Sequence, residues 1–106
     1  MPERFTKWDV SDYLETPEDV VAYLDAWLED GTAQEIAMAL GDIARSKGMT
    51  EISRRTGLNR VSLYTSLGEN GNPSFDTVLK VIDALGYLLR VERKPKDASA
   101  ALPPAL

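Results

Sequence analysis

Arg54, Arg55, Asn59, Arg60, Val61, Ser62, Tyr64 and Thr65 fall within one short stretch of a 106-residue chain. Together they supply guanidinium forks, an amide, hydroxyls and a small apolar group. That equipment suits hydrogen bonding to phosphates and to base edges rather than covalent chemistry. Arg60 has the planar donor pair that matches guanine O6 and N7, and it fits a phosphate equally well. Tyr64 and Thr65 suit a thymine methyl or a phosphate, and Tyr64 also suits partial burial. Arg54 and Arg55 suit phosphate positioning. Thr50 and Ser74 are placed to cap helices, whose first amides add further phosphate donors. The chain has neither His nor Cys, which excludes His-based catalysis, disulfides and thiolate or imidazole metal ligation. No Gly-rich loop follows a strand, and Gly68 to Asn72 lacks the Lys and Ser/Thr of a P-loop. The acidic residues are scattered at helix starts, where the macrodipole accounts for them. No enzyme activity, catalytic residue, metal or cofactor is therefore expected.

Such side chains need a rigid mount, and the flanking residues specify one. Gly48 ends one helix, Thr50 caps another that runs through Thr56, and Gly57 sits where a turn needs positive φ. Asn59 caps a further helix from about Arg60 to Leu67. Ile52, Leu58, Leu63 and Leu67 fall where a helix pair buries apolar groups, and Ser53 is small where the second helix presses on the first. This is a helix-turn-helix pattern, whose second helix lies in a DNA major groove.

The remaining chain supports it. Thr16-Pro17-Glu18-Asp19 opens a helix near 17–30, with Val20, Tyr23 or Leu24, Trp27 and Leu28 at helical spacing. Gly31 stops it. Thr32 to Glu35 is a capping box for a helix near 33–47, with Ile36, Leu40, Ile43 and Ala44 as its apolar stripe. Gly68 to Pro73 is a loop. Ser74 then caps a helix near 74–85, with Phe75, Val78, Leu79, Ile82 and Leu85 expected inward. Tyr87, Leu89 and Val91 alternate with Arg90 and Glu92, which predicts a strand near 87–92. One strand needs a partner edge. The expected fold class is all-α: five helices, the first an extra N-terminal one, plus a short C-terminal strand. The chain divides into an acidic segment over 1–31, a helix-turn-helix domain over 32–93 and a tail over 94–106.

Charge is distributed unevenly along this plan. The net charge is −5, yet residues 1–44 carry eleven acidic and two basic side chains. Residues 45–67 carry five basic and one acidic, the footprint of a phosphate-binding element. No apolar run approaches the roughly 18 residues of a membrane span, and no secretory signal is visible. A cytoplasmic protein with no membrane partner is expected. Phe5, Trp8, Val10 and Tyr13 lie among acids in a segment too short to bury them, so they pack on their own domain or on a partner.

Asn72-Pro73-Ser74 through Ala84-Leu85-Gly86, with the turn before it, resembles the lambda-repressor-like (Cro/XRE) DNA-binding family over roughly residues 33–86. Two positions depart from that family's usual pattern. Ser53 stands where Ala is common, and Leu67 replaces an apolar residue one position earlier. A narrower resemblance is carried by Phe5, Trp8-Asp9, Tyr13-Leu14, Tyr23-Leu24, Ala39 to Arg45, Gly48-Met49, Thr56-Gly57-Leu58, Arg60, Ser62-Leu63-Tyr64 and Gly71-Asn72-Pro73. Over roughly residues 5–93 the chain is similar to the putative addiction-module antidote family, the HigA-like antitoxins.

That resemblance implies the antitoxin of a type II toxin–antitoxin module. Such a protein neutralises a small basic toxin of the RelE/ParE superfamily and represses its own operon by binding double-stranded operator DNA. It implies Phe5, Trp8, Asp9, Tyr13, Tyr23 and Trp27 as a toxin-binding surface. A homodimer is expected through Tyr87, Leu88, Leu89 and Val91. A stand-alone Cro/XRE-type repressor without a toxin is the alternative reading.

Overall fold

The computed structural model describes residues 14–95. Five helices follow one another: α1 (Pro17–Asp30), α2 (Ala33–Lys47), α3 (Met49–Thr56), α4 (Arg60–Ser66) and α5 (Phe75–Ala84). Four start where a side chain accepts from an otherwise orphaned backbone amide. Thr16 accepts from Asp19 N at 3.1 Å, and Asp19 returns the bond to the Thr16 amide. Thr32 and Glu35 repeat this capping box at the start of α2. Asn59 Oδ1 accepts from Val61 N and Ser62 N at 2.8 and 3.2 Å. Ser74 Oγ accepts from Thr77 N at 3.1 Å.

The start of α3 corrects the expected role of Thr50. Gly48, at φ 110° and ψ 110°, donates its amide to Ala44 O and accepts from Ile52 N through its carbonyl. One residue thus closes α2 and opens α3. Only a residue without a Cβ adopts this φ at low cost. With no linker to cross, α3 begins at Met49, and Thr50 lies exposed inside the first turn instead of capping it.

The core is one cluster drawn from every helix. Leu40, Ile43 and Ala44 of α2, Ile52 of α3, Leu63 of α4, Leu67 just after it and Val81 of α5 are at most 2% exposed. Val20, Tyr23 and Leu24 close it from α1, and Leu14 extends it towards the N-terminus. Each large aliphatic side chain buried to this degree contributes roughly 1.5–3 kcal/mol. That is how five short helices, each marginal alone, hold together.

Two expectations about the C-terminal part are corrected. In α5, Phe75 and Leu79 are 66% and 41% exposed, while Val81 takes the innermost place. Residues 75, 78, 79, 82 and 85 share a helical stripe, but the helix turns its 78–81–82–85 edge to α3. Residues 87–92 form no strand, and among the described residues there is none at all. A strand is defined by its ladder, and a chain that is otherwise helical offers this segment no edge.

Candidate nucleic-acid interface

The corner between α3 and α4 is assembled by short-range bonds. Gly57 takes the left-handed conformation expected of it, at φ 74° and ψ 9°. Ser53 Oγ donates to Leu58 O at 2.5 Å, and Thr56 Oγ1 donates to Ile52 O at 2.8 Å while accepting from Leu58 N at 3.1 Å. These hydroxyls satisfy the peptide groups that the turn would otherwise leave open. Ser53 therefore has a reason to differ from Ala: its hydroxyl ties α3 to the end of the turn.

Leu63 and Leu67 point into the core at 1% and 0% exposure. They fix the rotation of α4. Arg60, Val61, Ser62, Tyr64 and Thr65 consequently stand on its outer face with Asn59, all exposed. Val61 is 71% exposed, unusual for a β-branched apolar side chain that nothing covers. The Arg60 guanidinium lies 6.0 Å from the Tyr64 ring centroid, one helical turn on, so the ring steers it without neutralising it. Among the described residues Arg60 has no carboxylate partner.

Arg54 and Arg55 are exposed on α3 beside this face, but they are not free. Both hold Glu51: Arg55 Nε lies 2.7 Å from Oε2, and Arg54 pairs with both carboxylate oxygens. The hydrogen bonds from Arg55 and then Arg54 keep the Glu51 carboxyl below its usual pKa. The expected phosphate contacts thus carry an internal counterion, visible in sequence as the i, i+3 and i+4 spacing of Glu51 to Arg54 and Arg55. Ser74 is exposed at its cap, on a loop held to α2 by the Gln34 side-chain amide, which donates to Glu69 O.

Gly41 was legible only as part of a motif, yet it positions α4. A Cβ placed on it would lie 2.5 Å from Leu67 O and 3.2 Å from Leu67 Cβ. The absence of a side chain lets α2 and the end of α4 meet backbone to backbone.

The residues expected to meet a protein partner are placed differently. Phe5, Trp8, Asp9 and Tyr13 lie outside the described residues. Tyr23 is only 4% exposed, and its hydroxyl donates to Asp42 Oδ2 at 3.1 Å. Asp42 Oδ1 also accepts from Arg45 Nη2 at 2.6 Å. Burial, then the charge and hydrogen bond of Asp42, push the Tyr23 pKa up to about 12. Tyr23 therefore fastens α1 to α2. Trp27 is half-buried against the same core. The outer face of α1 instead exposes Val21 and Leu28, at 51% and 41%, among Glu18, Asp25, Glu29 and Asp30. Of the dimerisation residues, Tyr87 and Leu89 pack on the core, while Leu88 and Val91 are 70% and 94% exposed.

The architecture is a small helical bundle with a polar corner carrying three arginines and an acidic, partly apolar face. Residues 4–93 match the family model described as "probable addiction module antidote protein". The chain is also 39% identical over 93 residues to a protein of Haemophilus influenzae described as uncharacterised; the match covers 88% of this chain and 96% of that one. No solved structure matches it. The chain belongs to the addiction module antidote family. Among the described residues, no helix is long and apolar enough to cross a membrane.

Proposed function

We propose that this chain is the HigA-like antitoxin of a type II toxin–antitoxin module. It neutralises a RelE/ParE-superfamily toxin by direct binding and represses its own operon through a Cro/XRE-type helix-turn-helix. It acts in the cytoplasm by binding alone, without catalysis. The observation that carries the DNA half is the outer face of α4. Six polar or small side chains stand exposed there, on a helix whose rotation is fixed by buried Leu63 and Leu67. Family membership supports the toxin half and weighs against a stand-alone repressor. The acidic face of α1 suits a basic toxin, because opposite potentials speed encounter and suppress wrong partners.

Binding of the chain to DNA from upstream of its own gene, at several salt concentrations, tests the reading. Arg60→Ala should lose roughly 1–3 kcal/mol of specific binding and relax preference at one base position. Arg54→Ala should weaken all sequences alike and flatten the salt dependence. Unchanged affinity for Arg60→Ala at fixed salt would remove α4 as the reader. For the toxin half, deletion of residues 1–13 should abolish rescue from the neighbouring gene's toxin while leaving DNA binding intact. The cut stops there because Leu14 is core. A chain that binds DNA with no adjacent toxin gene would be the stand-alone repressor.

A further inference from the structure

Of the three asparagines in this chain, only Asn70 is followed by glycine. The other two are protected by what surrounds them. Asn59 uses its side-chain oxygen to hold Val61 N and Ser62 N as the cap of α4. Asn72 precedes Pro73, which has no N–H to react. Asn70 is exposed, and its side chain makes no hydrogen bond among the described residues. Gly71 has no Cβ to shield its backbone nitrogen or to restrict its approach to the Asn70 side chain.

We propose that Asn70 is a self-modification site, converting to isoaspartate and aspartate within its own loop at a rate held down by Gln34. The Gly71 nitrogen gives its proton to solvent and attacks Cγ of Asn70. The new N–C bond closes a cyclic imide, and the side-chain nitrogen leaves as ammonia. Water then opens the ring at either carbonyl. Opening at the main-chain carbonyl leaves isoaspartate, whose chain runs through Cγ; opening at Cγ leaves aspartate. One water enters and one ammonia leaves, with no oxidant or reductant.

The fold opposes the first step at two points. The Gly71 amide donates to Gly68 O at 3.1 Å, so the reacting nitrogen is engaged in a turn over 68–71. The Gln34 side-chain amide donates to Glu69 O and holds the middle of that turn on α2. Asn70, Glu69 and Gln34 are all exposed, and a surface turn opens locally without the helices unfolding. Asp30-Gly31 could reach the same imide by losing water, but its nitrogen is held harder. Gly31 N donates to Trp27 O at 2.6 Å at the end of α1. The product does not fit the closed turn. Gly71 lies so close to the end of α4 that a Cβ on it would overlap the Ser66 carbonyl and sit 2.5 Å from Thr65 O. Isoaspartate adds a carbon to the main chain there. It also adds a carboxylate beside those carbonyls, where the negative end of a helix disfavours it. The modification therefore loosens the C-terminal end of α4.

The inference goes beyond the proposed function, and its test uses neither DNA nor a toxin. The full chain is kept folded in mildly alkaline buffer, sampled over days and digested with trypsin. The peptide of residues 61–80, which follows Arg60 and ends at Lys80, carries Asn70 and Asn72 together. Its amide-to-carboxyl mass change should localise to Asn70 on fragmentation. Isoaspartate, detected with an isoaspartyl methyltransferase, should exceed aspartate. Gln34→Ala, at an exposed helical position, should convert several-fold faster with its helical circular dichroism unchanged. Aged protein should unfold at lower denaturant than Asn70→Asp, which carries the charge without the added carbon. An Asn70 still intact in the folded chain when the same chain in denaturant has converted would overturn the site. Equal rates in wild type and Gln34→Ala would overturn the brake. An aged chain as stable as Asn70→Asp would overturn the effect on α4.

Discussion

The α3–α4 corner and the face made by α1 with residues 87–92 rest on one core but are finished differently. At the corner the caps on either side of the turn are satisfied, the turn is tied by three hydroxyl bonds, and the exposed groups are mostly polar, three of them arginines. On the other face the backbone of residues 88–95 is open and large apolar side chains stand in water. On the proposed reading the corner meets bases, which needs donors held to within about half an ångström and so a position specified locally. Binding a protein draws on area, and on the proposed reading this is the face left for a partner.

The strongest way to break the comparison is to remove what the two regions share. Leu63→Ala leaves a cavity beneath α4, and it should cost about 2–5 kcal/mol in denaturant unfolding. If that variant kept full stability but lost DNA binding, α4 would be seated by something other than the core. Gly41→Ala separates the regions. Its methyl must displace the end of α4 from α2, and it should cost roughly 1–3 kcal/mol, with DNA binding reduced more than dimerisation. Equal losses in both would show that the corner and the far face move as one body.

How much of this was legible follows the same division. The caps at Thr16, Thr32, Asn59 and Ser74 were readable because each acts within three residues of itself. So were the inward Leu63 and Leu67, because the turn fixes helix rotation. Thr50 was misread because capping was assigned before the double role of Gly48 could be seen. Phe75 and Leu79 were misplaced because two apolar stripes overlap on α5, and spacing alone does not choose between them. Tyr23 counts as a ring with a polar tip in any sequence. Only the approach of Asp42, nineteen positions away, makes it a fastener. The segment at 87–92 was read by its alternation, but a strand is a property of two segments.

Smaller changes sharpen the picture. Tyr23→Phe removes the bond to Asp42 and should cost about 0.5–1.5 kcal/mol, without loss of DNA affinity. The wild type also carries a pH signature there. The folded-state pKa is raised from 10.0 to about 12, so the neutral phenol's contribution is complete below the unfolded value and is lost as pH rises through that window. Tyr23→Phe should abolish that alkaline component of the unfolding curve. If it persisted, another group would be responsible.

The smallest effect is expected at Glu51. Glu51→Gln releases Arg54 and Arg55 and should leave stability essentially unchanged, because the pairs are exposed. Non-specific DNA affinity should rise a few-fold, with a steeper salt dependence. In the wild type the lowered carboxyl pKa acts in the opposite sense to Tyr23. Its contribution is present above the ordinary carboxylate value and is lost as pH falls through the depressed one. A salt dependence unchanged by Glu51→Gln would mean that the two arginines do not meet phosphate.

The corner at Gly48 bears on how the chain tolerates changes of length. Because one residue both closes α2 and opens α3, there is no slack between them. Each inserted or deleted residue would rotate α3 by about 100° relative to α2. Ile52 would swing out of the core and a polar neighbour, Glu51 or Ser53, would swing towards it. The loop over 68–73 and the segment beyond Gly86 carry no such phase relation. Variation in length among relatives should therefore collect at those two places, while the spacing from Leu40 to Leu67 stays fixed to the residue.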